Sequence, residues 1–368
     1  MMTKKIRAIG AAVLVSLWAV LTLFAWLGRP EQTSDSERRL LAQFPNLTGK
    51  SLLSGKFMTD FESYTLDQFP ARDGFRTLKS LTHYYLFGQK DNNDIYMHDG
   101  FAAKVEYPLN TGALDYAAGR LSYVYDTYLK PQGSRVFMAI VPDKGYYLAA
   151  ENGYPALDYQ ALFDRVAEKL PFAQQIALTD ALTAQDYYRT DTHWRQEALL
   201  PVAQKISQAM GLTMPKAEDF TQTPVKEDFY GVYYGQAALP MDPEPLYVME
   251  SDLLADCKVY NYETDSYADV YDLEKLEGKD PYEVFLSGPQ SLPRIENPNA
   301  ATDKELLIFR DSFGSSVAPL LVQDYKTVTL VDIRYLGGPM LKNYVEFTGQ
   351  DVLFLYSTSV LNNGTTLK

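Results

Sequence analysis

Cysteine and histidine are scarce in this chain of 368 residues. Its one cysteine, Cys257, can form no disulfide within the chain and no cysteine zinc cluster. The three histidines, His83, His98 and His193, lie far apart in the sequence, which argues against a histidine-rich metal site. Carboxylates alone remain possible ligands for a hard cation. We predict a protein with neither a metal centre nor a bound cofactor.

Long basic runs are also missing. The chain has 34 basic and 47 acidic residues, and its formal net charge is −13. A surface of this sign repels a phosphate backbone, so nucleic acid is excluded as a partner.

Charge is absent altogether from residues 8–28, an apolar run long enough to cross a bilayer as a helix. Lys4, Lys5 and Arg7 precede this run, which favours a cytoplasmic N-terminus. The run is longer than a usual signal-peptide core and lacks a convincing cleavage site, but a cleaved signal peptide is the alternative. We therefore predict a cytoplasmic tip and signal anchor over residues 1–28 in the cell membrane, with the main domain outside.

The rest of the chain divides into segments of different composition and hydrophobic pattern. Residues 29–94 read as a polar stalk followed by two helices that are broken around Pro70. Residues 95–368 alternate helical periodicity with near-continuous apolar runs, which are typical of strands buried in a parallel sheet. Between about 214 and 299 the sequence becomes aromatic and acidic, and we predict a β-rich insertion there. The predicted fold class is α/β.

Two polar motifs carry the candidate chemistry. Ser312 in "RDSFGSS" follows an apolar strand at the point where a helix begins, so that its hydroxyl and the backbone N–H groups of the next turn face one space. Asp191 and His193 in "YYRTDTHW" supply a base and a group to orient it, because residues i and i+2 of an extended segment point to one side. From the pattern alone, a helix-capping serine and a packed histidine remain equally good explanations.

The motif "YYRTDTHW" resembles the Asp-His-His-Trp signature of the DHHW family, and is more similar still to the Asp-Thr-His-Trp of alginate O-acetyltransferases of the AlgX/AlgJ type. Further stretches resemble the family in the same order, among them "LLSGKFMTDFESYTLDQFPARDGF", "DFYGVYYG", "DPYEVFLSG" and "LLIFRDSFGSSVAPLL". The likeness covers nearly all of the chain after the apolar run. It implies an SGNH hydrolase-like fold with a permuted order of catalytic residues, in which Asp191 and His193 precede Ser312.

Further residues are predicted to act around this triad, and the resemblance implies the first of them. Lys144 in "VPDKGYY" matches a Val-Pro-x-Lys element expected near the site. Arg334 ends a neighbouring strand and is assigned to an anionic substrate group, with a structural salt bridge as the alternative. Relatives tend to have an Asn where "SGPQS" stands, so Gln290 is the candidate substitute as an oxyanion donor. Trp194, beside the histidine, is assigned to substrate binding.

The function that follows is that of a membrane-anchored extracytoplasmic O-acetyltransferase acting on a cell-envelope or secreted polysaccharide. The acyl donor would come from a partner or a substrate, and the alginate system implies a membrane acyltransferase of the MBOAT type as that partner. A carbohydrate acetylesterase with the same triad and a non-catalytic glycan-binding envelope protein are the alternatives.

Overall fold

A computed structural model of the chain describes residues 2–368, and Met1, the first residue of the predicted cytoplasmic tip, lies outside the described residues. The first element is the helix α1, Met2–Leu27. Its segment Lys4–Ala25 is long and apolar enough to span a membrane. The predicted N-terminal apolar helix is therefore confirmed, and a signal sequence can also pass this test of length and composition.

The remaining helices and the strands are numbered in chain order. The helices are α2 Gly49–Leu53, α3 Lys56–Asp67, α4 Arg72–Leu81, α5 Thr111–Val124, α6 Gly145–Leu148, α7 Tyr159–Lys169, α8 Leu200–Met210, α9 Val232–Ala237, α10 Asp252–Ala255, α11 Phe313–Val317 and α12 Thr358–Asn362. The strands are β1 Thr33–Ser34, β2 Arg39–Leu40, β3 Ile95–His98, β4 Phe101–Lys104, β5 Val136–Val141, β6 Gln174–Ala177, β7 Thr221–Phe229, β8 Glu244–Glu250, β9 Lys258–Asn261, β10 Ser266–Ala268, β11 Pro293–Glu296, β12 Lys304–Arg310, β13 Tyr325–Val331 and β14 Asp351–Ser357.

The described residues form two compact units, of which the first comprises those up to residue 92 and residues 235–240. Within it α3 ends and α4 begins on either side of Pro70, which confirms the predicted pair of helices. The break has a physical cause. Proline disfavours a helical residue before it, and Ala71 after it takes a left-handed φ of 55°.

The second unit comprises residues 93–234 and 241–368, and is built on an eight-stranded sheet. The strand order is β10-β9-β11-β13-β12-β14-β5-β6, and the strands from β13 to β6 are parallel. Alternate residues of β12 enter two different hydrophobic clusters, with Leu306 and Ile308 on one face and Leu307 and Phe309 on the other. A sheet covered on both faces explains the near-continuous apolar runs of its strands. The predicted α/β class is confirmed.

The tyrosine-rich stretch between 214 and 299 divides in the structure. Its first part forms a separate antiparallel pair, β7 with β8. Its second part supplies β9, β10 and β11, which extend the central sheet in antiparallel fashion from β13. The stretch is rich in β-strands, as predicted, but three of its five strands continue the central sheet rather than standing apart from it.

Candidate active site

Ser312 lies at the carboxyl end of β12, immediately before the short helix α11. The turn that presents it is fixed by the buried carboxylate of Asp311. One oxygen of Asp311 accepts the backbone N–H of Phe313 at 3.1 Å, and the other accepts that of Ser357 at 2.7 Å. The second bond ties the turn to the end of the neighbouring strand β14, so the position of the hydroxyl is set by the sheet.

Asp191 and His193 lie on a tight loop. Its base is closed by a backbone pairing of Tyr187 with Trp194, and the N–H of Tyr188 donates to the carbonyl of His193 at 3.0 Å. This corrects the expected extended segment. The two side chains meet because the loop folds back on itself, and the N–H of His193 donates to Asp191 Oδ1 at 3.0 Å.

The structure brings the three predicted triad residues into one hydrogen-bonded line. His193 Nδ1 lies 2.6 Å from Asp191 Oδ1, and His193 Nε2 lies 2.7 Å from Ser312 Oγ. Asp191 is buried, whereas the imidazole keeps a small exposed fraction. This arrangement can orient the imidazole from one side while its other nitrogen receives the serine proton.

The second oxygen of Asp191 is held by the segment that follows β7. The backbone N–H of Val232 donates to Asp191 Oδ2 at 2.8 Å, and that of Gly231 donates to Thr190 Oγ1 at 2.8 Å. A side chain at Gly231 would overlap the backbone of Asp191. Glycine is thus required for this close approach, and the "FYGVYYG" stretch acts as a brace for the aspartate.

An aromatic residue covers one face of the histidine. The ring of Tyr282 stacks on the imidazole of His193 with centroids 3.9 Å apart and an angle of 8° between the planes. The phenol O–H donates to Ser316 Oγ at 2.8 Å. Burial raises the pKa of Tyr282 well above its ordinary value, so this group remains a neutral donor.

Trp194, predicted to bind substrate, has no exposed surface. Its Nε1 donates to the same Ser316 Oγ at 2.8 Å, and its ring meets Phe313 edge to face at 5.3 Å. A side chain with no exposed surface offers none to a substrate. The prediction is corrected, since this tryptophan instead anchors the histidine loop to α11.

Lys144 lies beneath the loop and is only 2% exposed. Its Nζ donates to the carbonyl of Tyr188 at 2.9 Å and lies 5.0 Å from the ring centre of Tyr233. Burial lowers the pKa of Lys144 to about 7, although Asp191 and other nearby carboxylates act in the opposite direction. The lysine is therefore near the triad, as expected, but it contacts the loop backbone rather than an open space.

Arg334 is engaged by a carboxylate. Its Nε and Nη2 donate to the buried Asp332, at 2.9 and 2.6 Å for the shorter contacts. Burial is the largest single effect and acts to lower the pKa of Arg334, but the hydrogen bond to Asp332 and the charges of Asp332 and Asp311 together raise that pKa. Of the two alternatives for this residue, the structure places it in the salt bridge.

The expected oxyanion donors are placed differently from the prediction. In the turn after Ser312, the N–H of Phe313 and that of Gly314 donate to Asp311, and that of Ser315 donates to the carbonyl of Ser312. These groups are therefore already bonded. The N–H of Ser312 itself has no partner within residues 2–368 and is the backbone donor that remains.

The side-chain amide of Gln290 is not positioned as an oxyanion donor in this structure. Its Nε2 lies 3.5 Å from the carbonyl of Ser287, while its buried Oε1 has no hydrogen-bond partner among the described residues. A contribution of Gln290 to oxyanion binding stays a prediction.

Two important contacts were not assigned from the sequence. Tyr282 and Ser316 both occur in the stretches quoted for the resemblance, but no spacing rule indicates that one stacks on the histidine or that the other joins two aromatic donors. In residues 2–368, no group of three or more His, Cys, Asp or Glu residues is arranged to hold a metal.

Comparison with solved structures finds the same fold. A DHHW family protein from Eubacterium siraeum aligns with a TM-score of 0.61 and 21% identity over 75% of this chain and 95% of that one. Bacillus cereus PatB1 aligns with a TM-score of 0.58 and 20% identity over 73% of this chain and 96% of its own, and PatB1 with a sulfonyl adduct aligns equally well. The O-acetyltransferase domain of Pseudomonas putida AlgJ is more distant, with a TM-score of 0.45 and 16% identity over 73% of this chain and 92% of that one.

None of the curated proteins compared with this chain matches its sequence. The model of the family described as DHHW protein matches residues 179–331, a range that contains Asp191, His193 and Ser312. The predicted resemblance of this chain to the DHHW family is thereby confirmed.

Proposed function

We propose that this protein is a membrane-anchored, extracytoplasmic O-acyltransferase that places acetyl groups on a cell-envelope or secreted polysaccharide. Asp191, His193 and Ser312 would be its catalytic residues. The observation that carries the proposal is the continuous hydrogen-bonded line of these three side chains, with contacts of 2.6 and 2.7 Å at the carboxyl edge of a parallel sheet. Ligand sites of open α/β sheets lie at that edge.

The chemistry follows from the geometry. His193 Nε2 takes the proton of Ser312 Oγ as this oxygen attacks the acyl carbonyl carbon of the donor. The tetrahedral intermediate collapses, the bond to the donor's leaving oxygen breaks, and His193 returns the proton to that oxygen. An acyl group is then esterified to Ser312.

The second half of the reaction repeats these steps with the acceptor. A sugar hydroxyl gives its proton to His193 Nε2 and attacks the acyl carbon, and the bond to Ser312 Oγ breaks. The serine oxygen recovers the proton from His193, so the enzyme is regenerated. No cofactor is needed, because the acyl group arrives on its donor.

A solved structure with a similar fold is consistent with a nucleophilic side chain in the proposed site. One of the matched structures is PatB1 with a sulfonyl adduct, and sulfonyl groups are electrophiles that are captured by nucleophilic side chains. Identity between the two chains is 21%, so this similarity concerns the fold, and the assignment of Ser312 relies on its contact with His193.

Transfer rather than hydrolysis requires that the acceptor sugar outcompete water at the acyl-enzyme. A sugar held in near-attack geometry gains a large effective concentration. A membrane tether at α1 would keep the protein close to a membrane partner that exports acyl groups, for which an acyltransferase of the MBOAT type is the candidate. These features favour a transferase over the acetylesterase alternative.

The test is the O-acetyl content of the surface polysaccharide, measured by mass spectrometry in a strain that lacks the gene. We expect this content to fall in the deletion strain and to return when the wild-type chain is restored. The Ser312→Ala variant should not restore it. Arg165→Gln, which removes a partly exposed ion pair between α7 and Asp115 of α5, should restore it and serves as the matched control.

Each other outcome has a distinct meaning. Increased acetylation in the deletion strain would identify an esterase. Restoration by Ser312→Ala would leave only the glycan-binding alternative, and unchanged acetylation in the deletion strain would refute the proposed reaction.

A further inference from the structure

A cleft of about 740 Å³ opens at the same edge of the sheet as Ser312. Its lining includes Arg334 and Tyr335, which follow β13, and Ser359, which follows the end of β14. These two strands flank β12, whose end carries Ser312. The cleft is therefore next to the strand that presents the candidate nucleophile.

Two tyrosine–arginine pairs line this cleft. On α5, the guanidinium carbon of Arg120 lies 5.5 Å from the ring centre of Tyr116. After β13, the guanidinium carbon of Arg334 lies 5.6 Å from the ring centre of Tyr335. The tyrosines are 42% and 57% exposed, so aromatic surface and positive charge are offered to solvent side by side.

The cations of the cleft differ in how far they are neutralised. Lys104 lies 3.3 Å from Glu106, and Arg334 is bound to Asp332. Arg120 has no carboxylate partner within residues 2–368, and its buried Nε has no hydrogen-bond partner. Because Nε is buried, an anion in the cleft would bind the guanidinium through its other N–H groups, and no carboxylate of the described residues competes for them.

We propose that this cleft is the subsite for an anionic saccharide, with Arg120 as its anion contact and Tyr116 and Tyr335 as its stacking surfaces. The inference rests on the proposed function, which it extends by naming the chemical class of the acceptor. Tyrosine rings pack against the apolar C–H faces of sugars while their hydroxyls remain in water. A guanidinium binds carboxylate and phosphate through paired N–H donors.

The overall charge of the protein strengthens the inference. With a net charge of −13, the chain as a whole repels an anionic polymer. An arginine without a partner beside two exposed tyrosines is the kind of local exception that an anionic ligand requires. The charge on the saccharide could be a sugar carboxylate or a phosphodiester, and both present the same paired oxygens to Arg120.

The experiment is direct binding measured by calorimetry with the full chain in detergent. All proteins carry Ser312→Ala, so no turnover occurs and the result does not depend on whether the triad is active. The probes are tetragalacturonate, a phosphodiester-linked glycerol phosphate oligomer, and neutral maltotetraose. We expect one of the two anionic probes to bind, and Arg120→Gln to weaken its binding about 10-fold or more.

Two comparisons make the result specific. Arg165→Gln removes an equal charge outside the cleft and should leave the affinity unchanged, and Tyr335→Phe should bind more tightly than Tyr335→Ala. The anionic probe that binds identifies the source of the charge. Binding of neither anion, equal binding of maltotetraose, or an affinity unaffected by Arg120→Gln would overturn the proposal.

Discussion

The imidazole of His193 is held both at its edge and on its face. Both ring nitrogens are engaged, with Asp191 and with Ser312, and the ring face lies against Tyr282 at 3.9 Å. With these two hydrogen bonds alone, the imidazole could still rotate about the line through its two nitrogens. The stacked phenol removes this freedom, so we regard Tyr282 as a positioning residue for the base.

We predict that Tyr282→Leu lowers kcat for an activated acetyl ester about 100-fold with little change in KM, because a small misplacement of a catalytic group has a cost of that order. Tyr282→Phe keeps the ring and loses only the bond to Ser316, so its kcat should stay within about 10-fold of the wild type. Steady-state kinetics checks both, and thermal unfolding shows whether each variant is folded. Wild-type kcat in a folded Tyr282→Leu protein would refute the positioning role.

At the residue scale, the sequence indicated which side chains lie together. The motifs "RDSFGSS" and "YYRTDTHW", with the resemblance that they carry, nominated Ser312, Asp191 and His193, and the structure brings these side chains within hydrogen-bonding distance. The prediction for Trp194 failed, because burial depends on what packs against a side chain. The contact between Tyr282 and His193 joins residues far apart in the chain, and no local pattern encodes it.

At the scale of elements, the site depends on how one loop is secured between strands. The histidine loop is pinned at its base by the pairing of Tyr187 with Trp194, from below by Lys144 after β5, and at its tip by the N–H of Val232. The first contact lies within the loop, and the other two come from separate segments, after β5 and after β7. The loop therefore acquires its shape only when the sheet is assembled.

Lys144 makes the stability of the folded protein depend on pH. Its pKa is lowered to about 7 in the folded protein against an ordinary value of 10.5. Between these two pH values the unfolded chain binds more protons at this lysine than the folded protein does. The free energy of unfolding should therefore rise with pH in this window, by at most about 1.4 kcal/mol per pH unit.

The measurement is chemical denaturation of the wild type and Lys144→Met from about pH 6 to about pH 10. The difference between the two free energies of unfolding isolates the contribution of Lys144, since other groups titrate in both proteins. As pH rises above about 7, we expect the free energy of unfolding of the wild type to increase relative to that of Lys144→Met. A constant difference across the range would contradict the assigned burial effect.

Elements were predicted well where the signal is local. The near-continuous apolar runs predicted in residues 95–368 include β12, β13 and β14, and the helical periodicity predicted there includes α7 and α8. The partners of β9, β10 and β11 were not predicted. Strand alternation indicates a half-buried strand but does not say which sheet receives it.

At the scale of the whole molecule, one apolar N-terminal helix precedes a unit that carries the candidate site. We predict that a reporter fused after Lys368 is active only outside the cytoplasm, because basic residues before an apolar run, here Lys4, Lys5 and Arg7, favour a cytoplasmic N-terminus. Carbonate washing should leave the protein in the membrane fraction. As a matched control, replacing these three residues with glutamate should reduce the exported fraction.

Recovery of a soluble form that begins near Arg29 would show a cleaved signal peptide instead. Reporter activity in the cytoplasm would contradict the proposed orientation and, with it, access of the site to an envelope polysaccharide.

The central claim is that Ser312 carries the acyl group, and the most direct test is to find that group on it. The full-length protein is mixed with an activated acetyl ester, quenched in acid during the first turnovers, digested and sequenced by mass spectrometry. We predict one acetyl group on Ser312 in the wild type. Residue 312 should carry no acetyl group in His193→Ala or in Ser312→Ala, and ester turnover should fall by several orders of magnitude in both variants. An unmodified Ser312 in a wild-type protein that consumes the ester, or undiminished turnover in folded Ser312→Ala, would contradict the account.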